Sequence, residues 1–243
     1  MKSAPLSEHI SGELRDEILR GRYRSGERLP SERDLARRFD VNRGAVREAL
    51  RTLEQLGLAS IQAGGARVNP VEEASLDVVE HLLALSDPPD PRVVAEVFEV
   101  VSGVMGLALR LCVQRADEAQ RGRAVDLLQQ LSQPVLSTGS QFELFQELGD
   151  VVVEASGNTV LMLVHRGLLT QFLGKLHDHQ LLLSADSEDR LPIVKELARA
   201  IEEQDGPGAT EAAYHLSATM RKHAIEALSV QLADQAAPER STS

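Results

Sequence analysis

Leu29-Pro30-Ser31-Glu32-Arg33-Asp34-Leu35-Ala36 is followed by Val41-Asn42-Arg43-Gly44-Ala45-Val46-Arg47-Glu48-Ala49-Leu50, then by Leu56-Gly57-Leu58 and Gln62-Ala63-Gly64-Gly65-Ala66-Arg67-Val68. Ser31 is an N-cap candidate with Asp34 in the acidic position three residues on, so a helix is expected from Glu32 to Arg38. Phe39 to Asn42 reads as a turn, with Asn42 capping a further helix from Arg43 to Gln55. Along that helix Val46, Ala49, Leu50 and Leu53 recur at core spacing. Gly57 ends it, and two short strands, Leu58 to Gln62 and Ala66 to Asn69, follow with Gly64-Gly65 as the turn between them. Upstream, Leu6, Ile10, Leu14, Ile18 and Leu19 give one apolar stripe of a first helix, Pro5 to Arg20, stopped by Gly21. Three helices and a glycine-tipped hairpin in this order form a winged helix-turn-helix, whose expected partner is double-stranded DNA.

The overall charge does not suggest that partner. The chain has 243 residues, 42% of them hydrophobic, and a formal net charge of −11. The charge is divided unevenly: residues 1–70 carry 13 Lys and Arg against 10 Asp and Glu, a net of +3, and residues 71–243 carry 13 against 27, a net of −14. A basic module on an acidic body orients the basic face toward DNA, because the body repels phosphate. The N-terminus lacks the apolar run of a signal sequence, and the longest apolar stretch, Val100 to Val113, contains Arg110, so no membrane role is expected. The lone cysteine, Cys112, sits in that stretch and reads as a small buried hydrophobe, in keeping with a reducing cytoplasm.

Within the N-terminal module the candidate DNA contacts are Arg33, Asn42, Arg43, Gly44, Ala45, Arg47 and Gly64. Recognition helices put their N-terminal residues in the major groove, and arginine pairs bidentately with guanine or phosphate. Gly44 and Ala45 let that helix sit close to base edges, and a wing tip at Gly64 lets bare backbone approach a groove. An arginine-rich face is often only solvated surface. Arg15, Arg20 and Arg28 are read that way, whereas Arg33, Arg43 and Arg47 fall inside a complete cap, turn, helix and wing.

These residues resemble the GntR family of bacterial transcription regulators over residues 6–70. The resemblance implies operator contacts by Arg33, Arg43 and Arg47 and a minor-groove contact at Gly64. Many relatives carry Ser or Thr where Gly44 and Ala45 stand, which implies a different operator preference.

From Glu72 onward the pattern is helical: Ala74 to Ser86, Val93 to Arg115, Asp117 to Gln133, Ser140 to Ala155, Thr159 to Leu183, Glu188 to Glu203 and Ala209 to Gln231. Asp87-Pro88-Pro89-Asp90-Pro91 and Asp205-Gly206-Pro207-Gly208 read as loops. The expected organisation is a DNA-binding domain over 1–70, a linker helix and loop over 71–92, an all-α effector-binding and dimerisation bundle over 93–235, and a disordered tail over 236–243. The Glu154-Ala155-Ser156-Gly157-Asn158 break resembles the FadR-type bundle of the same family.

Many such bundles hold a metal through one Asp and three His. Here the equivalent positions are Phe145, Gly149, Val194 and one near Ser217, with His215 out of register, and the effector-facing Arg is Val100 or Val101. The resemblance therefore implies no metal and an apolar pocket of Phe98, Val101, Met105, Phe145, Val152, Leu161 and Phe172, suited to a long-chain acyl-CoA; each of these residues is also ordinary core chemistry. His215 and His223 lie eight apart on one helix and lack an evident carboxylate partner. The expected function is a cytoplasmic, homodimeric, effector-responsive regulator that binds operator DNA, a repressor in the simplest case. A metal-dependent regulator responding to small carboxylates, an architectural DNA-binding protein and an enzyme with a DNA-binding appendage stay open. The last lacks a nucleophile elbow, a phosphate-binding glycine loop or zinc spacing.

Overall fold

A computed structural model describes the backbone of residues 6–133, 136–178 and 187–236, and their side chains except 138 and those from 169 to 188. The expected tail falls almost wholly outside the described residues, as do the side chains of Phe172 and His177. The chain divides into two compact units, Met1–Leu85 and Ser86–Ser243.

The first unit holds α1 (Leu6–Leu19), α2 (Glu32–Arg38), α3 (Arg43–Gln55), β1 (Ala59–Gln62), β2 (Gly65–Val68) and α4 (Val78–Leu83). Both expected caps form: Ser31 Oγ accepts from the Asp34 N–H at 3.2 Å, and Asn42 Oδ1 from the Ala45 N–H at 3.0 Å. Ile10, Leu14, Leu35, Val46, Ala49 and Leu53 are fully buried together, so α1, α2 and α3 share one apolar centre. β1 and β2 pair antiparallel, with Gln62 opposite Gly65. The tip of the wing is therefore Ala63-Gly64, one residue earlier than the expected Gly64-Gly65, because Gly65 takes a ladder position. The segment before α2 adds a third edge: Leu29 N–H donates to Ala66 O at 2.9 Å and Val68 N–H to Glu27 O at 2.9 Å.

Gly57 stops α3 with φ +73°, and a Cβ there would stand 2.6 Å from Glu73 O. That close approach exists because the chain after the wing folds back. Residues Val71–Glu73 form a 3-10 turn and Ser75 N–H donates to Leu56 O at 2.9 Å. The long helix expected over Ala74 to Ser86 is thus only the short α4, whose Val78 is buried in the first unit's core.

The second unit holds α5 (Pro91–Arg115), α6 (Glu118–Leu131), α7 (Thr138–Ala155), α8 (Thr159–Asp178), α9 (Ser187–Glu202) and α10 (Gly206–Ala236). Asp90, Asp117 and Ser137 cap α5, α6 and α7, and Asp117 forms a full capping box with Gln120. Gly157 breaks the chain at φ +60°, and Asn158 Oδ1 then caps α8 through the Leu161 N–H at 3.1 Å. Residues 206–208, read from sequence as a loop, are the first turn of α10: Asp205 Oδ1 accepts from the Gly208 N–H at 3.0 Å. Glycine and proline are tolerated there because first-turn N–H groups have no intrahelical partner to lose. An apolar cluster at its centre includes Leu127, Leu128, Leu131, Val152, Val194 and Ile201, all fully buried, and Arg190 is buried beside it, donating to Leu131 O at 3.1 Å. Among the described residues no helix is long and apolar enough to cross a membrane.

Candidate nucleic-acid interface and effector cavity

The N-terminal ends of α2 and α3 are presented together. Arg33, Arg43 and Arg47 are all exposed. Arg43 makes no hydrogen bond or ion pair among the described residues. Arg47 is tethered: its Nε donates to both oxygens of Glu32 at 2.9 and 3.0 Å. Both side chains reach solvent, Arg47 at 61% and Glu32 at 37% exposure, and exposed pairs are worth under about 1 kcal/mol. A phosphate or guanine can therefore take over the guanidinium at small cost. Gly44 keeps the Asn42 cap in place, since a Cβ at 44 would stand 2.9 Å from Asn42 Oδ1. Asn42 therefore serves the helix terminus. Ala45, expected at the open face, is half-buried and packs against the core.

Four arginines outside the expected DNA contacts have other work, and three of them, Arg15, Arg20 and Arg28, read from sequence as plain surface. Arg28 donates to the carbonyl of Gly64, placing a guanidinium at the wing tip. Arg67, on β2, donates to Gly26 O at 2.7 Å. Arg20 donates to Leu85 O at 2.8 Å, and Arg15 lies 3.4 Å from His81 Nε2. The last two hold the segment after the wing. Glu17 was also missed. It is 7% exposed and accepts from Arg38 at 2.8 and 2.9 Å and from Arg22 at 2.8 Å. The Arg38 hydrogen bonds hold its carboxyl below the usual range against the opposing effect of burial. Arg38 is thereby committed to joining α1 and α2.

In the second unit a cavity of about 120 Å³ lies among α5, α7, α9 and α10. Five of the seven expected pocket residues, Phe98, Val101, Met105, Phe145 and Val152, line it. Leu161 is buried in the core and is not part of that wall, and the Phe172 side chain lies outside the described residues. Of the positions where a metal set would stand, Phe145, Gly149 and Ser217 are in the wall. Val194 is buried in the core behind it. Val101 faces the cavity whereas Val100 is exposed. Among the described residues no group of three His, Cys, Asp or Glu side chains is arranged to hold a metal ion.

Two histidines have carboxylate neighbours that the sequence did not reveal. His165 Nδ1 lies 3.9 Å from Asp150, and His223 Nε2 lies 3.4 Å from Asp189. His165 is buried, its Nε2 has no partner, and burial lowers its pKa. It is therefore a neutral core side chain. His215 is exposed while His223 is buried, so the two do not act as a pair. Burial pushes the Cys112 thiol up to about 11.

Comparison with known proteins matches residues 6–68 to the family model of bacterial regulatory proteins of the gntR family and residues 96–224 to the FCD domain. An uncharacterised HTH-type transcriptional regulator of Mycobacterium tuberculosis, Rv0494, is 30% identical over 81% of this chain and 78% of its own length. The HTH-type transcriptional repressor NanR of Cronobacter sakazakii is 29% identical over 68% of this chain and 64% of its own length. Among solved structures, Lar, which controls the expression of the Listeria monocytogenes agr system, superposes with a TM-score of 0.56 at 16% identity. That match covers 93% of this chain and 99% of Lar, and at this identity the likeness is one of fold.

Proposed function

Since the chain belongs to the GntR family of bacterial regulatory proteins, FadR/FCD type, and is a transcriptional regulator with an FCD ligand-binding domain, we propose that it is a cytoplasmic homodimer whose operator affinity is set by a small apolar effector. Residues 1–70 contact DNA, residues 71–85 brace that unit, residues 86–92 lead into the bundle, and residues 93–235 bind effector and a second copy. Arg33, Arg43 and Arg47 contact the operator, with Gly64 and Arg28 at the wing. Repression is the sign favoured by the NanR relatives. No catalytic role is assigned.

The observation that carries the effector reading is the apolar cavity itself, walled by Phe145, Gly149 and Ser217 where a metal set would stand. An apolar cavity of about 150 Å³ takes benzene, so a space of about 120 Å³ takes a group of that size or slightly less. A long-chain acyl-CoA, the ligand expected from sequence, needs far more room than the described cavity provides, which favours a smaller molecule. Self-association is supported by exposed apolar side chains on the adjoining helices α5 and α8: Val100 and Leu107, with Val160, Leu163 and Val164.

Native mass spectrometry of the purified full-length protein, with elemental analysis for zinc, nickel and manganese, tests the effector reading. A metal-free dimer carrying a small organic molecule that shifts DNA affinity supports it. Stoichiometric metal, or a bound acyl-CoA, sinks it.

A further inference from the structure

The cavity is small for a regulator's ligand. Small-molecule sites usually measure about 300–1,000 Å³, well above the 120 Å³ here. A second cleft of about 320 Å³ opens at the surface between α5 and α10. Phe98, Ser102 and Ser217 line both spaces, so one layer of side chains separates them, and two of the three are serines. Together the two spaces reach the usual size of a ligand site.

The two spaces differ in chemistry. Apart from the Ser102 and Ser217 hydroxyls, the cavity wall is apolar, and among the described residues no charged side chain lines it. The cleft carries Tyr214, His215 and the Arg221–Glu99 ion pair, 2.8 Å apart. The serine seam between them is lightly held. Ser102 Oγ donates to Glu99 O at 2.8 Å within its own helix. Ser217 Oγ bridges from α10 to Phe98 O at 3.4 Å, a long bond that costs little to exchange.

Charge decides which head group fits. Arg221 is already engaged by Glu99, and residues 71–243 carry a net charge of −14. An anion can exchange into that exposed pair at small cost, but it leaves Glu99 unpaired beside it inside a negative field. A neutral group with both donor and acceptor capacity meets Tyr214, His215 and both halves of the pair without that penalty.

We infer that the effector is a small amphiphile without net negative charge, its apolar end in the cavity and its polar head passing between Ser102 and Ser217 into the Tyr214–Arg221 cleft. The inference rests on the cavity being the effector site. It departs from both an acyl-CoA and a metal-bound carboxylate, each of which is anionic.

The chain has two tyrosines and no tryptophan, so Tyr23→Phe leaves Tyr214 as the single emitter, at the proposed head-group position. Hexanol, hexanamide and hexanoate are titrated into this variant of the full-length protein at neutral pH, by calorimetry and tyrosine fluorescence. Hexanol and hexanamide are expected to bind at least about tenfold more tightly than hexanoate and to change Tyr214 emission. Ser217→Leu, which plugs the seam, and Val101→Phe, which fills the cavity, abolish both signals while circular dichroism stays helical. Hexanoate binding as tightly as hexanol overturns the neutral-head inference and leaves the cavity reading intact. Binding that leaves Tyr214 unchanged and survives Ser217→Leu overturns the cleft alone. Hexanol binding undiminished in Val101→Phe overturns the cavity reading as well. Silence from all three probes at millimolar concentration overturns the inference, while mass analysis judges the cavity reading separately.

Discussion

At the scale of single residues the proposed operator contacts give each exposed arginine its own test. Arg43→Ala and Arg47→Ala are each expected to cost about 1–3 kcal/mol of operator binding if they read bases, measured by fluorescence anisotropy against operator and scrambled duplexes. Arg33→Ala is expected to weaken both duplexes alike and to flatten the salt dependence by about one counterion, the mark of a phosphate contact. Normal operator affinity in both Arg43→Ala and Arg47→Ala would remove these residues from the interface. Glu17 carries a stability prediction. Its folded pKa is lowered, so the stabilisation is present at neutral pH and is lost as pH falls through the ordinary glutamate value of about 4.3 and below. Glu17→Gln is expected to cost the first unit about 1–2 kcal/mol at pH 7, a value kept low by the solvent exposure of Arg22 and Arg38. It should also blunt the acid limb that begins near the ordinary glutamate value and runs below it, followed by urea unfolding at each pH. The exposed placement of Arg33, Arg43 and Arg47 was legible because they sit at fixed offsets from a cap and a turn. Glu17 and Arg28 were not, because their partners lie 21 and 36 residues away and no local pattern encodes a contact of that separation.

At the scale of elements, most of the reading came from helix starts. Ser31 and Asn42 each announce a terminus by satisfying N–H groups that a helix cannot bond itself, whereas Asp90, read as loop, and Asp117, read as the first helical residue, are shown to be caps by the structure. Asn42→Ala is expected to cost about 1 kcal/mol of stability and to loosen the N-terminal turn of α3. The variant should therefore lose operator affinity as well as melting temperature. Unchanged affinity would mean that the cap does not position the contact residues. The start of α10 went unrecognised for a related reason. Asp205-Gly206-Pro207-Gly208 has loop composition, yet an aspartate cap followed by residues free of N–H obligations also opens a helix. The wing was displaced by one residue because two glycines in a row leave a hairpin's register open, and pairing of Gly65 with Gln62 settles it. In the bundle, five pocket residues share one cavity wall because α5 and α7 are amphipathic and their inward faces are readable. Leu161 falls outside the wall because an inward-facing leucine packs equally well on core or on a void, and periodicity does not distinguish them.

For the whole molecule, the exposed apolar side chains of α5 and α8 set the prediction. Leu163 is 65% and Val160 70% exposed, a costly arrangement for an isolated chain and an ordinary one for a face that meets its own copy. Leu163→Glu is expected to shift sedimentation from dimer toward monomer at micromolar concentration and to weaken operator binding about tenfold or more, since a palindrome rewards two heads held together. A dimer that persists unchanged would move the interface elsewhere. The residues after the wing carry a last consequence, for protein engineering. Val78 packs in the core of the first unit, Arg20 holds Leu85 O, and Ser75 holds Leu56, so 71–85 behave as a lid belonging to the DNA reader. A hybrid sensor spliced at residue 70 would strip that lid and present raw leucine surface to solvent. One spliced between Leu85 and Ser86 would transplant the reader whole, and the exchangeable cassette of this regulator therefore ends fifteen residues beyond its wing helix-turn-helix module.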